Sequence, residues 1–118
     1  MITPDDAELV EIIESLSAEI HLNAKNKGFW DGNVDLNFIL TKLFLVGSEV
    51  VEVLEAIRKQ KGDLAVVEEM ADIIIRLLDL YAGMVEYKYL SDDIELMEIL
   101  LDKMYFNKQR PRLHGNLV

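Results

Sequence analysis

The sequence from Val34 to Gln60 reads VDLNFILTKLFLVGSEVVEVLEAIRKQ, and it decides the fold class. Its apolar residues recur every three to four positions, which is the period of a helix. One apolar stripe consists of Leu36, Leu40, Leu43, Val50, Leu54 and Ile57. The face that carries Glu49 and Glu52 also holds apolar side chains, namely Phe38, Leu45 and Ala56. Because both faces are apolar, we predict a helix buried on both sides, within a bundle or at a subunit interface.

A first helix is predicted before this segment. Thr3 followed by Pro4 is typical of a helix N-terminus, with Thr3 as the N-cap. Apolar residues at helical spacing continue from there to about Lys27. Residues 28–33 read GFWDGN, which predicts an aromatic loop bracketed by glycines.

Two more helices are predicted after Gln60. The third covers roughly residues 64–88, and the fourth begins at Ser91 as its N-cap and ends near Asn107. The tail, residues 108–118, is predicted to be irregular. Four helices with short connections predict an all-α fold, a four-helix up-and-down bundle that forms a single domain over residues 1–118.

The charge of the chain restricts its partners. The 118 residues carry 12 Lys+Arg and 22 Asp+Glu, a formal net charge of -10. Nucleic-acid polymers and anionic membranes need a basic surface, so neither is an expected partner. Residues 1–102 hold 8 basic and 22 acidic side chains, whereas residues 103–118 hold 4 basic side chains and no acidic one. This basic strip either meets an anionic ligand or pairs with the acidic body.

Other features narrow the class further. The sequence contains no cysteine, which excludes thiolate metal sites, disulfides and a cysteine nucleophile. The N-terminus has neither the cationic start nor the apolar segment of a signal peptide. No apolar run approaches the ~18 residues of a membrane span. We therefore expect a cytoplasmic protein.

Two pairs of acids point to a metal site. Glu49 and Glu52 are spaced i,i+3 on the second helix, as are Glu69 and Asp72 on the third, so each pair shares a helix face. Glu52 lies ten residues before Gly62 and Asp72 ten residues after it. In antiparallel neighbours the four carboxylates then lie at about the same height, which predicts an oxygen-ligand site for Mg²⁺ or Mn²⁺. The acids of the third helix, taken alone, are more typical of a solvated face, so the prediction depends on both pairs together.

Other metal chemistries do not fit. A ferritin-like di-iron bundle needs Glu-x-x-His motifs, and neither His21 nor His114 has a Glu three residues before it. The His-Glu-x-x-His motif of zinc peptidases is also absent.

The two acidic motifs resemble those of a known family. Glu49-x-x-Glu52 followed by Glu68-Glu69-x-x-Asp72 is similar to the EExxE…EExxD signature of the all-α nucleoside triphosphate pyrophosphohydrolases. The MazG-like group is the nearest match, with dCTP pyrophosphatase and phosphoribosyl-ATP pyrophosphohydrolase as its relatives.

Two further segments carry the resemblance. Residues 21–30, HLNAKNKGFW, resemble the end of the family's first helix and its aromatic loop. Residues 107–115, NKQRPRLHG, resemble its C-terminal N-x-x-R-P-x-x-H-G segment. The similarity spans about residues 18–115. One departure is Ser48, which stands where the first motif usually has another acid.

The resemblance implies an activity and its metal ligands. The family hydrolyses a nucleoside triphosphate between the α and β phosphates, which releases a monophosphate and pyrophosphate. Glu49, Glu52, Glu69 and Asp72 are then expected to hold Mg²⁺, for which Mn²⁺ can substitute. Either Glu49 or Glu52 is expected to orient the attacking water. The departure at Ser48 bears on groups around the metal and on activation of that water.

The resemblance also implies substrate contacts. Phosphate contacts are expected from Lys103, Asn107 and Arg110, with Lys25 and Lys27 as additions from the first helix. The remaining substrate contacts are expected from Trp30 (as a platform for the base), His21 and Arg76. Each of these three has a structural alternative, respectively a core residue, a helix cap and a counter-ion of Asp72 or Asp79.

The two apolar faces of the second helix, together with the family resemblance, predict a homodimer or homotetramer. The substrate is expected to be a deoxynucleotide, with the base left open. The alternative function is a non-catalytic helical module for oligomerisation or nucleotide sensing on the same scaffold.

Overall fold

The chain folds into helices joined by short connections. The structure, a computed structural model, describes the backbone of residues 4–115 and the side chains of residues 5–113. Its elements are α1 (Pro4–Asn26), α2 (Leu36–Arg58), α3 (Asp63–Glu86), α4 (Leu96–Gln109) and a 3₁₀ helix (Arg112–Gly115). No strand occurs between residues 4 and 115, so the prediction of an all-α class with four α-helices is confirmed. Within the same range, no helix is both long enough and apolar enough to cross a membrane.

The connection between α2 and α3 makes these helices antiparallel neighbours. Asp35 caps the start of α2 by accepting a hydrogen bond of 2.9 Å from the Phe38 backbone N–H. After Arg58 the chain turns through Gln60 and Gly62, whose φ angles are 52° and 98°. Glycine reaches such positive φ angles at little cost, which suits Gly62 to its place immediately before α3. The predicted pairing of the second and third helices is thus correct.

The predicted start of the fourth helix was wrong. Ser91 Oγ accepts a bond of 3.2 Å from the Asp93 N–H, and α4 begins only at Leu96, after Glu95 at the N-cap. A serine that bonds a backbone N–H two residues ahead stabilises a local turn in competition with a helix. The prediction of an irregular tail was also wrong for residues 108–109 and 112–115, because α4 extends to Gln109 and a 3₁₀ helix covers Arg112–Gly115. Thr3 lies outside the described residues.

The chain divides into two compact units, each considered by itself. The terminal unit comprises residues 1–16 and 91–118, and the central unit comprises residues 17–90. In the terminal unit, burial and a hydrogen bond with Glu14 raise the pKa of Glu95 above its ordinary 4.5.

The core of the central unit is built around the aromatic loop. Trp30, Ile39 and Leu80 are buried together there, and Phe38 and Met84 are among the side chains packed against them. The second half of α1 joins this core through a Ser17 Oγ bond of 3.1 Å to the Leu78 carbonyl. α1, the loop, α2 and α3 therefore contribute to one packed unit.

Candidate metal centre

Three carboxylates of the central unit converge between α2 and α3. Glu49 of α2 and Glu69 and Asp72 of α3 each offer an oxygen, and these oxygens all lie within 4.8 Å of one another. The i,i+3 spacing of Glu69 and Asp72 puts both on one face of α3. The tight turn before α3 brings Glu49 to the same height. We call these three residues the acidic trio.

Glu52 is the predicted ligand that does not join the acidic trio. Three residues along a helix give a rotation of about 300°, so Glu52 is offset by about 60° from Glu49. Its side chain is exposed, whereas the Glu49 side chain is only 13% exposed. Glu52 still lies near enough for its charge to raise the pKa of Glu69. It therefore borders the acidic trio.

The acidic trio accumulates negative charge. Desolvation raises the pKa of Glu69 above its ordinary 4.5, and the charges of Asp72, Glu52 and Glu49 raise it further. Such a group binds either a proton or a cation to relieve the repulsion. Oxygen ligands suit Mg²⁺ or Mn²⁺, and two opposite ligands of one Mg²⁺ lie about 4.2 Å apart.

Arg76 of α3 pairs with the acidic trio. Its Nε donates a bond of 2.6 Å to Glu49 Oε1. Asp72 or Asp79 was the counter-ion expected for Arg76, but the arginine pairs with Glu49 instead. The bond fixes the orientation of the Glu49 carboxylate, which keeps a second oxygen for a cation.

His21 lies in a buried polar network beside the core. Its Nδ1 is 2.7 Å from Asp79 Oδ1, and its Nε2 is 2.6 Å from Glu86 Oε2. Each ring nitrogen of His21 therefore lies within hydrogen-bond distance of a carboxylate. Lys25 Nζ donates a bond of 2.6 Å to the other oxygen of Glu86, and Lys25 and His21 together lower the pKa of Glu86. His21 and Lys25 are thus occupied by carboxylates of α3.

Trp30 lies in the core of the central unit. It is 3% exposed, and its Nε1 donates to both oxygens of Asp79, at 2.9 and 3.1 Å. Tyr87 stacks on the indole with 5.7 Å between ring centroids, and the Phe38 ring lies 5.4 Å away. Among the two roles considered for Trp30, this geometry matches the core role. A base could stack on the indole only after these neighbours move.

Asp79 is the residue that sequence reasoning missed at this site. It lies on the same stripe of α3 as Asp72 and Arg76, seven and three residues further along. Buried at the end of that stripe, it accepts bonds from both His21 and Trp30. The spacing indicates that Asp79 shares a face of α3 with Asp72. No nearby sequence pattern indicates that His21 of α1 and Trp30 of the loop are its partners.

Ser48 lies apart from the acidic trio. Its Oγ donates a bond of 2.7 Å to the Leu45 carbonyl, and the residue lines an open groove on α2 with Leu40 and Phe44. Its hydroxyl is therefore directed to its own helix.

The expected phosphate contacts of the C-terminal segment belong to the terminal unit. Lys103 and Asn107 lie on α4, and Arg110 is its C-cap, with its guanidinium 5.6 Å from the Phe106 ring centroid. All three residues are exposed, as is Lys27, which follows the end of α1. The roles of Lys103, Asn107 and Arg110 as phosphate contacts remain predictions.

The central unit thus combines an acidic trio, the Arg76–Glu49 pair and an aromatic core. Comparison with protein-family models, curated proteins and solved structures finds no match for this chain. The resemblance to the MazG-like group therefore rests on the three sequence segments alone.

Proposed function

We propose that this chain is a Mg²⁺-dependent nucleoside triphosphate pyrophosphohydrolase. In this proposal it hydrolyses a nucleoside triphosphate, preferably a deoxynucleotide, to the monophosphate and pyrophosphate. The observation that carries the proposal is the acidic trio, in which carboxylates of both MazG-like motifs come within 4.8 Å of one another.

The chemistry follows from the charge of the site. A triphosphate cannot approach three carboxylates unless cations lie between them. Glu49, Glu69 and Asp72 would hold Mg²⁺, which when bound would supply Lewis-acid chemistry and a water of lowered pKa. The water oxygen forms a bond to the α phosphorus, the bond from that phosphorus to the bridging oxygen breaks, and pyrophosphate leaves. Glu49 or Glu52 takes the proton from the water.

The substrate contacts follow the same logic. Arg76 is proposed to neutralise charge on the phosphates, because it already lies at the edge of the acidic trio. From the resemblance alone, Lys103, Asn107 and Arg110 are proposed as further phosphate contacts, with Lys25 and Lys27 as additions. His21 and Trp30 are proposed to shape the base site through their bonds to Asp79.

We further propose that the chain acts as a homodimer or homotetramer. Large apolar side chains of α2 remain exposed, among them Leu40, Leu43, Phe44, Val50, Val51 and Leu54. Phe44 is the most exposed of these side chains, at 83%. A contiguous apolar face of this kind marks a protein interface. A second copy of the same helix face would cover it.

Phe44→Glu is expected to dissociate this assembly. The charge would be buried without a partner in the interface, which weakens association by several kcal/mol at the order of magnitude of buried charges. Sedimentation equilibrium at micromolar concentration should give a dimer or tetramer for the wild type and a smaller species for the variant. Leu22→Glu on α1, also exposed, is the control and should leave the assembly intact. A wild type that sediments as a monomer would contradict the proposed assembly.

³¹P NMR tests the proposed reaction. The purified protein is mixed with Mg²⁺ and each of a panel of deoxynucleoside and nucleoside triphosphates, with an EDTA control. Monophosphate and pyrophosphate that form only without EDTA would support the proposal, and the relative rates would identify the base. Asp72→Ala should abolish the signal. Diphosphate with free phosphate would refute the cleavage position, and nucleotide binding without turnover would favour the non-catalytic module.

A further inference from the structure

Lys42 of α2 is a half-buried cation held against aromatic rings. Its ammonium lies 4.8 Å from the ring centroid of Trp30, 5.4 Å from that of Phe38 and 5.6 Å from that of Phe29. Aromatic faces attract a cation electrostatically, most strongly when water is partly excluded. They do not replace the hydrogen bonds that the three N–H donors of an ammonium make in water. The aromatic faces therefore attract the charge but accept no conventional hydrogen bond from the ammonium.

No anion within the described residues pairs with this ammonium. Within residues 5–113, Lys42 takes part in no hydrogen bond or ion pair, although the chain has 22 acidic side chains. Asp79 is the carboxylate whose charge acts on it, but Asp79 accepts bonds from His21 and Trp30. Burial lowers the pKa of Lys42, and the positive charge of Arg76 lowers it further. Because Lys42 is half-buried and Arg76 adds a second positive charge nearby, an anion from outside the chain would stabilise the charged form of Lys42.

We propose that Lys42 binds a phosphate group of the nucleotide substrate. This inference rests on the proposed function and adds a residue to its phosphate site. Lys42 and Glu49 are seven residues apart, so they share a face of α2 and lie about 10.5 Å apart along its axis. Arg76 contacts Glu49 and acts electrostatically on Lys42. The two cations thus extend from the acidic trio along one path, which a polyphosphate anchored by Mg²⁺ would follow.

Binding of inorganic pyrophosphate tests this role without turnover. Calorimetric titration with pyrophosphate in the presence of Mg²⁺ compares the wild type with Lys42→Met, Lys42→Arg and Lys59→Met. A hydrogen bond to a charged group contributes about 1.5–3 kcal/mol, so Lys42→Met should weaken binding by about tenfold or more. Lys42→Arg should recover part of the affinity. Lys59 is exposed at the C-cap of α2 and forms an ion pair with Glu55. Lys59→Met should therefore bind pyrophosphate like the wild type.

Labelling of the wild-type chain covers the case in which Lys42→Met does not fold. Acetic anhydride modifies neutral amines, and mass spectrometry reports the modified fraction of each lysine. Pyrophosphate with Mg²⁺ should slow the modification of Lys42 and leave that of Lys59 unchanged. In a nucleotide assay, a folded Lys42→Met should show a raised KM with a smaller change in kcat.

The outcomes separate this inference from the proposed function. Hydrolysis by the wild type with unchanged pyrophosphate affinity and KM in folded Lys42→Met would overturn the role of Lys42 alone. Lys42-dependent pyrophosphate binding in a chain that hydrolyses no nucleotide would overturn the proposed function and support the phosphate site. Equal labelling of Lys42 with and without pyrophosphate would also overturn the inference.

Discussion

Glu69→Gln is expected to abolish the stabilisation of the protein by Mg²⁺ and to lower nucleotide turnover by about 10²–10³-fold. The substitution removes one anionic oxygen ligand from the acidic trio, and losing one group that stabilises transition-state charge has an effect of about that size. Thermal unfolding with increasing Mg²⁺, together with the ³¹P assay, measures both effects. The wild type should gain stability with Mg²⁺, since a ligand that binds the folded state stabilises it.

Glu68→Gln is the matched control for this prediction. Glu68 is the neighbouring residue on α3, is exposed and is not among the three acids that converge. Both variants remove one negative charge from the same turn of the same helix. Only Glu69→Gln should lose the response to Mg²⁺. An equal response to Mg²⁺ in the two variants would contradict the assignment of the acidic trio.

Glu69→Gln is also expected to have a pH-dependent effect on the stability of the metal-free protein. Desolvation and the neighbouring acids raise the pKa of Glu69 above 4.5 in the folded state. The folded state then holds the Glu69 proton more tightly than the unfolded state. The contribution of Glu69 to stability is therefore lost as the pH rises from about 4.5 through the raised pKa. Without Mg²⁺, Glu69→Gln should be more stable than the wild type at neutral pH.

Gly83→Ala is expected to destabilise the protein by about 1–3 kcal/mol or more, the range for overpacking a core. A Cβ at Gly83 would lie 2.0 Å from Trp30 Cη2, 2.3 Å from Cζ2 and 2.7 Å from Cζ3. The indole cannot easily shift, because Asp79 holds its Nε1 and Tyr87 stacks on it. Without the clash the substitution would stabilise the protein, because alanine is favoured over glycine in a helix by about 1 kcal/mol. A decrease in the free energy of unfolding therefore reports the clash with Trp30.

Gly47→Ala on α2 provides the control for that clash. A Cβ built at Gly47 meets no atom of this chain within 4 Å beyond its chain neighbours and the backbone of its own helix. In the Phe44→Glu background, in which the proposed assembly is dissociated, the helix preference of alanine should therefore act alone and stabilise the protein. Urea unfolding of both variants should therefore give free-energy changes of opposite sign. A Gly83→Ala variant as stable as Gly47→Ala would contradict the packing of Trp30 against α3.

The sequence pattern predicts that acids of α2 and α3 converge, but it does not predict which of the acids do so. The helical period and the distance from Gly62 were enough to put Glu49 near Glu69 and Asp72. They were not enough to separate Glu49 from Glu52, because a 60° offset decides which side chain faces α3. The start of α4 failed for a related reason, since Ser91 has the residue type of a helix cap but bonds within a turn.

The network around Asp79 depends on contacts between distant segments. His21 and Trp30 reach Asp79 across 58 and 49 residues of sequence. Periodicity gives the face of a helix on which a residue lies, but it does not identify which other segment packs there. Lys42 shows the same limit, because its aromatic neighbours come from the loop as well as from its own helix.

Electron paramagnetic resonance of Mn²⁺ tests the central claim most directly. Mn²⁺ bound to a protein loses the intensity of the free aqueous ion, so a titration reports the bound fraction. The wild type is predicted to bind Mn²⁺, to release it when Mg²⁺ is added, and to lose this binding in a Glu69→Gln, Asp72→Asn double variant that remains folded. A wild type that leaves the Mn²⁺ signal unchanged, or a double variant that binds as well as the wild type, would contradict the metal centre and the reaction proposed at it.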